Sequence, residues 1–154
     1  MRQEEVEAYL REHIPLSASM DIRVVDAGPH GVSIEAPLEP NVNHRATAFG
    51  GSVAALAILA GWTLVQLRLR AEGLVTRTVI QKSAVTYDAP IHGAFRAVSE
   101  PVEDEAWERF TRAITRHGRG RIRVTVNVVA DGRAAASFCG AYVAIAGQKS
   151  AGGE

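Results

Sequence analysis

Cysteine is nearly missing from this chain: of 154 residues only Cys139 is one. A single thiol forms no internal disulfide and no cysteine-based metal site, so Cys139 reads as a small buried hydrophobe. Net charge is missing as well, since 17 Lys and Arg balance 17 Asp and Glu. Nothing therefore draws the whole molecule towards nucleic acid or an anionic membrane. The five histidines, His13, His30, His44, His92 and His117, are scattered, with no i, i+4 pair and no carboxylate at ligand spacing. No metal site is expected. The apolar run that starts at Val53 is broken by Thr63, Gln66, Arg68 and Arg70, short of the roughly 20 residues of a bilayer span. Residues 2–10 are acidic and periodic where a signal peptide would be apolar. These absences point to a cytoplasmic protein with no cofactor, no metal, no membrane span and no nucleic-acid partner.

What is present fits one domain over residues 1–154. The length is near the usual single-domain size, at which roughly 70% of the unfolded surface is buried, and no internal repeat or linker divides the chain. The most informative stretch is 43–52, a polar loop ending in Phe49, Gly50, Gly51 and Ser52, which runs into an apolar helix at about 51–71. Glycines at a helix start leave backbone N–H groups uncovered, a ready site for a carbonyl oxygen, an oxyanion or a phosphate. Leu56, Ile58, Leu59, Trp62, Leu64 and Val65 surround the helix on every side, so it must be buried.

Around it the pattern is mixed. Val6, Leu10 and Ile14 at i, i+4 and i+8 predict a short helix over 3–13, stopped by Pro15. Two β-branched runs at 20–26 and 32–38 flank the turn 28–31 and predict a hairpin. Runs at 76–88 and 94–100 flank the turn 89–93 and predict a second hairpin. Trp107, Phe110 and Ile114 line one face of a helix over 102–117, with acids at its start and bases at its end. Ile122, Val124, Val126 and Val128 alternate with Arg121, Arg123, Thr125 and Asn127, one face buried and one wet. Asp131-Gly132 then turns that strand into another at 134–145, and 150–154 is expected to fray. Basic residues bunch between 109 and 123, either as a solvated face or as a contact for an acidic partner. The sum is an α+β fold: an antiparallel sheet of about six strands curled around a central apolar helix, because no flat face covers such a helix.

This order resembles the hotdog fold of acyl thioesterases and dehydratases over about 14–146, nearly the whole chain. Phe49-Gly-Gly-Ser52, Leu59-Ala-Gly-Trp62, Tyr87-x-x-Pro90 and the helix at 102–117 are similar to a thioesterase-like family whose domain is often fused to an acetyltransferase. Related phenylacetyl-CoA-type thioesterases carry Asn, five residues, then His-Gly-Gly, with an acid seven residues along the helix. Asn43, Gly50 and Gly51 match that spacing, whereas Phe49 stands at the histidine and Ile58 at the acid.

The resemblance implies an acyl-thioester hydrolase acting on acyl-CoA or acyl-carrier-protein conjugates, working as a homodimer or larger with its sites between subunits. The candidate catalytic residues are Asn43, to orient the acyl group or a water, Gly50 and Gly51, for the oxyanion, and Asp88 or His44 as the base. Thr47, Phe49, Ser52, Ser83 and Tyr87 are candidates for substrate binding. Loss of the motif's imidazole and carboxylate keeps open a non-catalytic acyl-binding or scaffold domain. A dehydratase is a third reading, weakened because no Asp-x4-His is suitably placed. Arg68, Arg70, Arg119 and Arg121 suit either a phosphate or an acidic carrier.

Overall fold

The computed structural model describes residues 1–147, and the tail expected to fray at 150–154 lies outside them. Helix α1 (Gln3–His13) buries Val6 and Leu10, with Glu4 and Glu5 in its first turn and Arg11 and His13 in its last. Those charges match the helix dipole. Pro15 ends α1 and also begins a short helix, α2 (Pro15–Ser19), because its fixed φ and missing N–H suit a first helical position.

Strands β1 (Arg23–Gly28) and β2 (Gly31–Ala36) form the expected hairpin. A single 3₁₀ turn at Glu39–Asn41 leads to the loop and then to α3 (Gly50–Ala71). After it come β3 (Thr76–Tyr87), β4 (Phe95–Ser99), α4 (Asp104–His117), β5 (Arg119–Ala130) and β6 (Arg133–Ala146). Asp131 and Gly132, at φ 52° and 72°, make the tight turn between β5 and β6, the positive-φ pair a two-residue hairpin needs. All six strands join one antiparallel sheet in the order β1-β2-β4-β5-β6-β3. Helix α3 touches every one of them, which only a sheet wrapped around the helix allows. The fold is α+β, of the hotdog class.

Three expectations are corrected. β3 and β4 are not a hairpin: β3 pairs with β6 at the sheet edge, and β4 lies between β2 and β5. The 12 residues of β3 find a full-length partner in the 14 of β6, which the five of β4 could not supply. The turn at 89–93 is instead a crossover, tied down where Asp88 and Ala89 N–H donate to the Ala135 carbonyl and Ala48 N–H to that of Ile91. Cys139 is exposed, because strand alternation sends Phe138, Gly140 and Tyr142 inward and Cys139 to the opposite face. Finally, α3 has 22 residues, so length does not separate it from a membrane span. Its burial inside the sheet marks it as a core helix.

Two contacts fix α3 in register. Tyr142, fully buried, donates from Oη to the Ile58 carbonyl at 2.7 Å. A Cβ on Gly61 would stand 2.5 Å from that oxygen, so the glycine of the 59–62 motif is the seat of the phenol. Burial pushes the Tyr142 phenol well above the usual tyrosine range. At the other end, buried Arg68 lies 4.5 Å from the centre of the Trp107 ring and reaches Asp104 Oδ1 at 3.0 Å, joining α3 to α4. Trp107, Phe110 and Ile114 are core.

Candidate active site

The loop before α3 is built from its own side chains. Asn43 Nδ2 donates to Thr47 Oγ1 at 2.8 Å, while Asn43 Oδ1 accepts from the N–H groups of Arg45 at 2.8 Å and Thr47 at 3.2 Å. This side-chain turn holds Ala46 at φ 61°, a left-handed conformation a non-glycine residue adopts only when its neighbours enforce it. The amide of Asn43 is thus committed within the loop. Ahead of it, buried Asn41 donates to the carbonyls of Met20 and Pro37, and its own carbonyl receives the Phe49 N–H at 2.7 Å. Sequence reasoning passed over Asn41. A lone amide between Pro40 and Val42 carries no pattern to mark it as the anchor of the helix start.

Phe49 is the N-cap of α3 and offers no side-chain acceptor. Its carbonyl takes the N–H groups of Ser52 and Val53. The amides ahead of those, on Gly50 and Gly51, donate to no acceptor among the described residues. Two uncovered N–H groups therefore stand at the positive end of a 22-residue helix dipole. A Cβ on Gly51 would come within 2.4 Å of the Phe49 ring, and one on Gly50 within 3.4 Å of Tyr87. Aromatic rings approach both glycines because no side chain stands between.

Tyr87, at the end of β3, donates from Oη to the Gly50 carbonyl at 2.8 Å. This bond joins residues far apart in sequence and brings the strand end to the helix start. Between them lies a cleft of about 310 Å³, lined by Ala48, Gly50, Tyr87, Asp88, Pro90 and Ile91 among others. The Asp88 carboxylate accepts no hydrogen bond and makes no ion pair among the described residues, and its side chain is exposed.

The structure therefore brings Gly50, Tyr87 and Asp88 to one cleft, with Gly51 and Phe49 beside them. His44 is exposed on the loop and does not line the cleft. Ser83 lies opposite Gly140 on β3, four register steps from Tyr87, and is likewise outside the cleft. Ser52 is half-buried in the first turn of α3, and Thr47 receives the Asn43 amide. Ile58, where the related motif has an acid, is half-buried on α3. Among the described residues no group of three His, Cys, Asp or Glu could hold a metal ion.

A family model described as "Putative thioesterase (yiiD_Cterm)" matches residues 3–146. A solved structure of a protein of unknown function from Chlorobaculum tepidum is 26% identical, with a TM-score of 0.89 over 94% of this chain and 94% of that one. A "putative thioesterase" from Shewanella oneidensis is 24% identical, with a TM-score of 0.82 over 93% of this chain and 96% of that one. A thioesterase from Haemophilus influenzae, 12% identical with a TM-score of 0.76 over 99% and 96%, shares the fold.

Proposed function

The chain belongs to the family described as "Putative thioesterase (yiiD_Cterm)", and from that membership we propose that it hydrolyses acyl thioesters of coenzyme A or of an acyl-carrier protein. The thioester carbonyl oxygen sits on the free amides of Gly50 and Gly51. The Asp88 carboxylate takes a proton from a water as that water attacks the carbonyl carbon. The oxyanion of the tetrahedral intermediate is held by the two N–H groups, each worth about 3 kcal/mol in such a hole. Collapse breaks the C–S bond, and the thiolate leaves with the proton Asp88 had taken. Tyr87 keeps the Gly50 turn in place, Phe49 walls the acyl group, and Asn43 with Thr47 shapes the loop. One observation carries this reading: two unpaired helix-start amides beside a cleft that holds an unpaired carboxylate.

The protein acts as a homodimer or larger. Among the described residues strand β3 pairs on one side only, and Phe49, Val79 and Tyr87 are each more than half exposed. A long unpaired edge is a template for another strand, and a second copy there would also cover the cleft. Its compartment is the cytoplasm, where CoA and carrier thioesters are made.

The test is a hydrolysis screen over acyl-CoA chain lengths, read by free thiol. Turnover above the uncatalysed rate at any length supports the enzyme. The second reading, a non-catalytic acyl-binding domain, is favoured by Phe49 and Ile58 in place of imidazole and acid. It takes over if acyl-CoA binds and no chain length is cleaved.

A further inference from the structure

Strand register assembles a charged surface on the face of the sheet turned away from α3. Residues directly opposite on paired strands share a face, so β5, β6 and β3 line up in rows. Arg119, Ile145 and Arg77 form one row; Arg121, Val143 and Val79 the next; Arg123, Ala141 and Lys82 the third. Cations hold five of the six flanking positions and Val79 the sixth, with Ile145, Val143 and Ala141 along the middle. All five cations are exposed, as are Val79 and Ile145. None of the five cations is in an ion pair among the described residues. None of the three strands contains an Asp or Glu. In a chain of zero formal net charge, this face is wholly basic.

We infer that this face docks an acidic carrier protein bearing the acyl thioester, an inference that rests on the thioesterase reading and names which carrier the site serves. A second copy of this chain does not fit there, since a two-fold contact would set like charges against each other. Nucleic acid is disfavoured because the middle of the face is aliphatic, with neither aromatic rings for stacking nor amides for base edges. Carboxylates around a small apolar patch are the complement. The placement suits delivery: Lys82 lies five residues before Tyr87 on β3, about 17 Å at 3.3 Å per residue, within reach of a flexible pantetheine arm. From Lys82 the arm runs along β3 to Tyr87, which lines the cleft.

The experiment uses the full chain and the double substitution Arg121→Glu/Arg123→Glu, on the exposed side of β5 and away from the β3 edge. Binding of a fluorescently labelled holo acyl-carrier protein is followed by anisotropy at low and at high salt. Hydrolysis is measured on acyl-carrier protein, on acyl-CoA and on acyl-N-acetylcysteamine. We expect the carrier to bind the wild type at low salt, binding to fall steeply with salt, and the double variant to lose about tenfold or more. Its kcat/KM should fall on the acyl-carrier substrate alone, with the short thioester unaffected. The binding arm needs no turnover, so it stands even if the hydrolase reading fails. No carrier binding at low salt, or equal binding by the variant, overturns the inference. So does an equal loss on acyl-CoA, which assigns the arginines to phosphate, or charge-dependent capture of a labelled DNA duplex without the carrier.

Discussion

Replacing Gly51 by alanine separates the two things a glycine can do at a helix start. Gly51 is not in the left-handed region, so alanine fits its backbone without strain. The three atoms nearest the added Cβ would all belong to the Phe49 ring, at 2.4, 2.9 and 3.1 Å. That ring is 57% exposed and can swing aside, so the fold survives. Alanine in a helix interior is favoured over glycine by up to about 1 kcal/mol, and less in a first turn. Gly51→Ala is therefore expected to leave thermal stability unchanged or raise it by a few degrees, about 2–4 °C per kcal/mol at this size. Turnover should move the other way. The methyl group and the displaced ring close the approach to both free amides, and losing one oxyanion donor typically lowers kcat by about 10² to 10³. The assay pairs a thermal melt with kcat/KM from thiol release. Adding Phe49→Ala locates the block: recovery implicates the ring, and no recovery implicates the methyl. Wild-type turnover in a normally folded Gly51→Ala protein would sink the placement of the oxyanion at this helix start.

Further outcomes follow from the geometry. Gly61→Ala drives a Cβ to 2.5 Å from the fully buried Tyr142 hydroxyl and should destabilise by about 1–3 kcal/mol in urea melts, less in a Tyr142→Phe background. Because burial raises the Tyr142 pKa when folded, its contribution is complete below the ordinary value of about 10 and is lost as pH rises beyond it. Tyr142→Phe should therefore flatten the alkaline fall in stability. Arg68→Ala removes a buried side chain stacked on Trp107 and should cost about 2–3 kcal/mol. Asp104→Asn should cost under about 1 kcal/mol, since the Asp104 side chain is 87% exposed. Asp88→Asn should lower kcat by about 10² or more with the melting temperature unchanged, and Asn43→Ala should speed amide exchange in residues 43–48 as well as slow turnover. Unchanged kcat in the first, or unchanged exchange in the second, contradicts the assigned role.

Much of the frame was legible because it is written in periodicity. The alternation from Ile122 to Val128, the Asp131-Gly132 turn and the all-round apolar helix each have one structural solution, and together they require a sheet wrapped around α3. Pairing partners were less so. Turn chemistry at 89–93 says that the chain bends, not which strand waits beyond the bend, and it concealed the crossover that sets β3 beside β6. Cys139 illustrates a related limit, since its type favours burial but its register on β6 decides. At the candidate cleft, Gly50, Gly51, Tyr87 and Asp88 stand out in the sequence by residue type and motif. That the phenol of Tyr87 reaches the Gly50 carbonyl is a consequence of sheet curvature, which no local pattern encodes. The motif gives Asn43 a role in orienting the acyl group or a water, whereas its hydrogen bonds close on its own loop.

The bare N-cap at Phe49 also bears on how this protein can be engineered. Serine, threonine or aspartate there is among the commonest stabilising substitutions, worth about 1 kcal/mol through a bond to the first-turn amides. Any procedure that ranks variants by melting temperature would select such a cap. The new side chain would take the Gly51 N–H, one of the two that stand open to a visitor, and the protein would become sturdier and less receptive in one step. Selection for thermostability in this fold therefore has to exempt position 49, and a library screened only for survival on heating should accumulate inactive members there first.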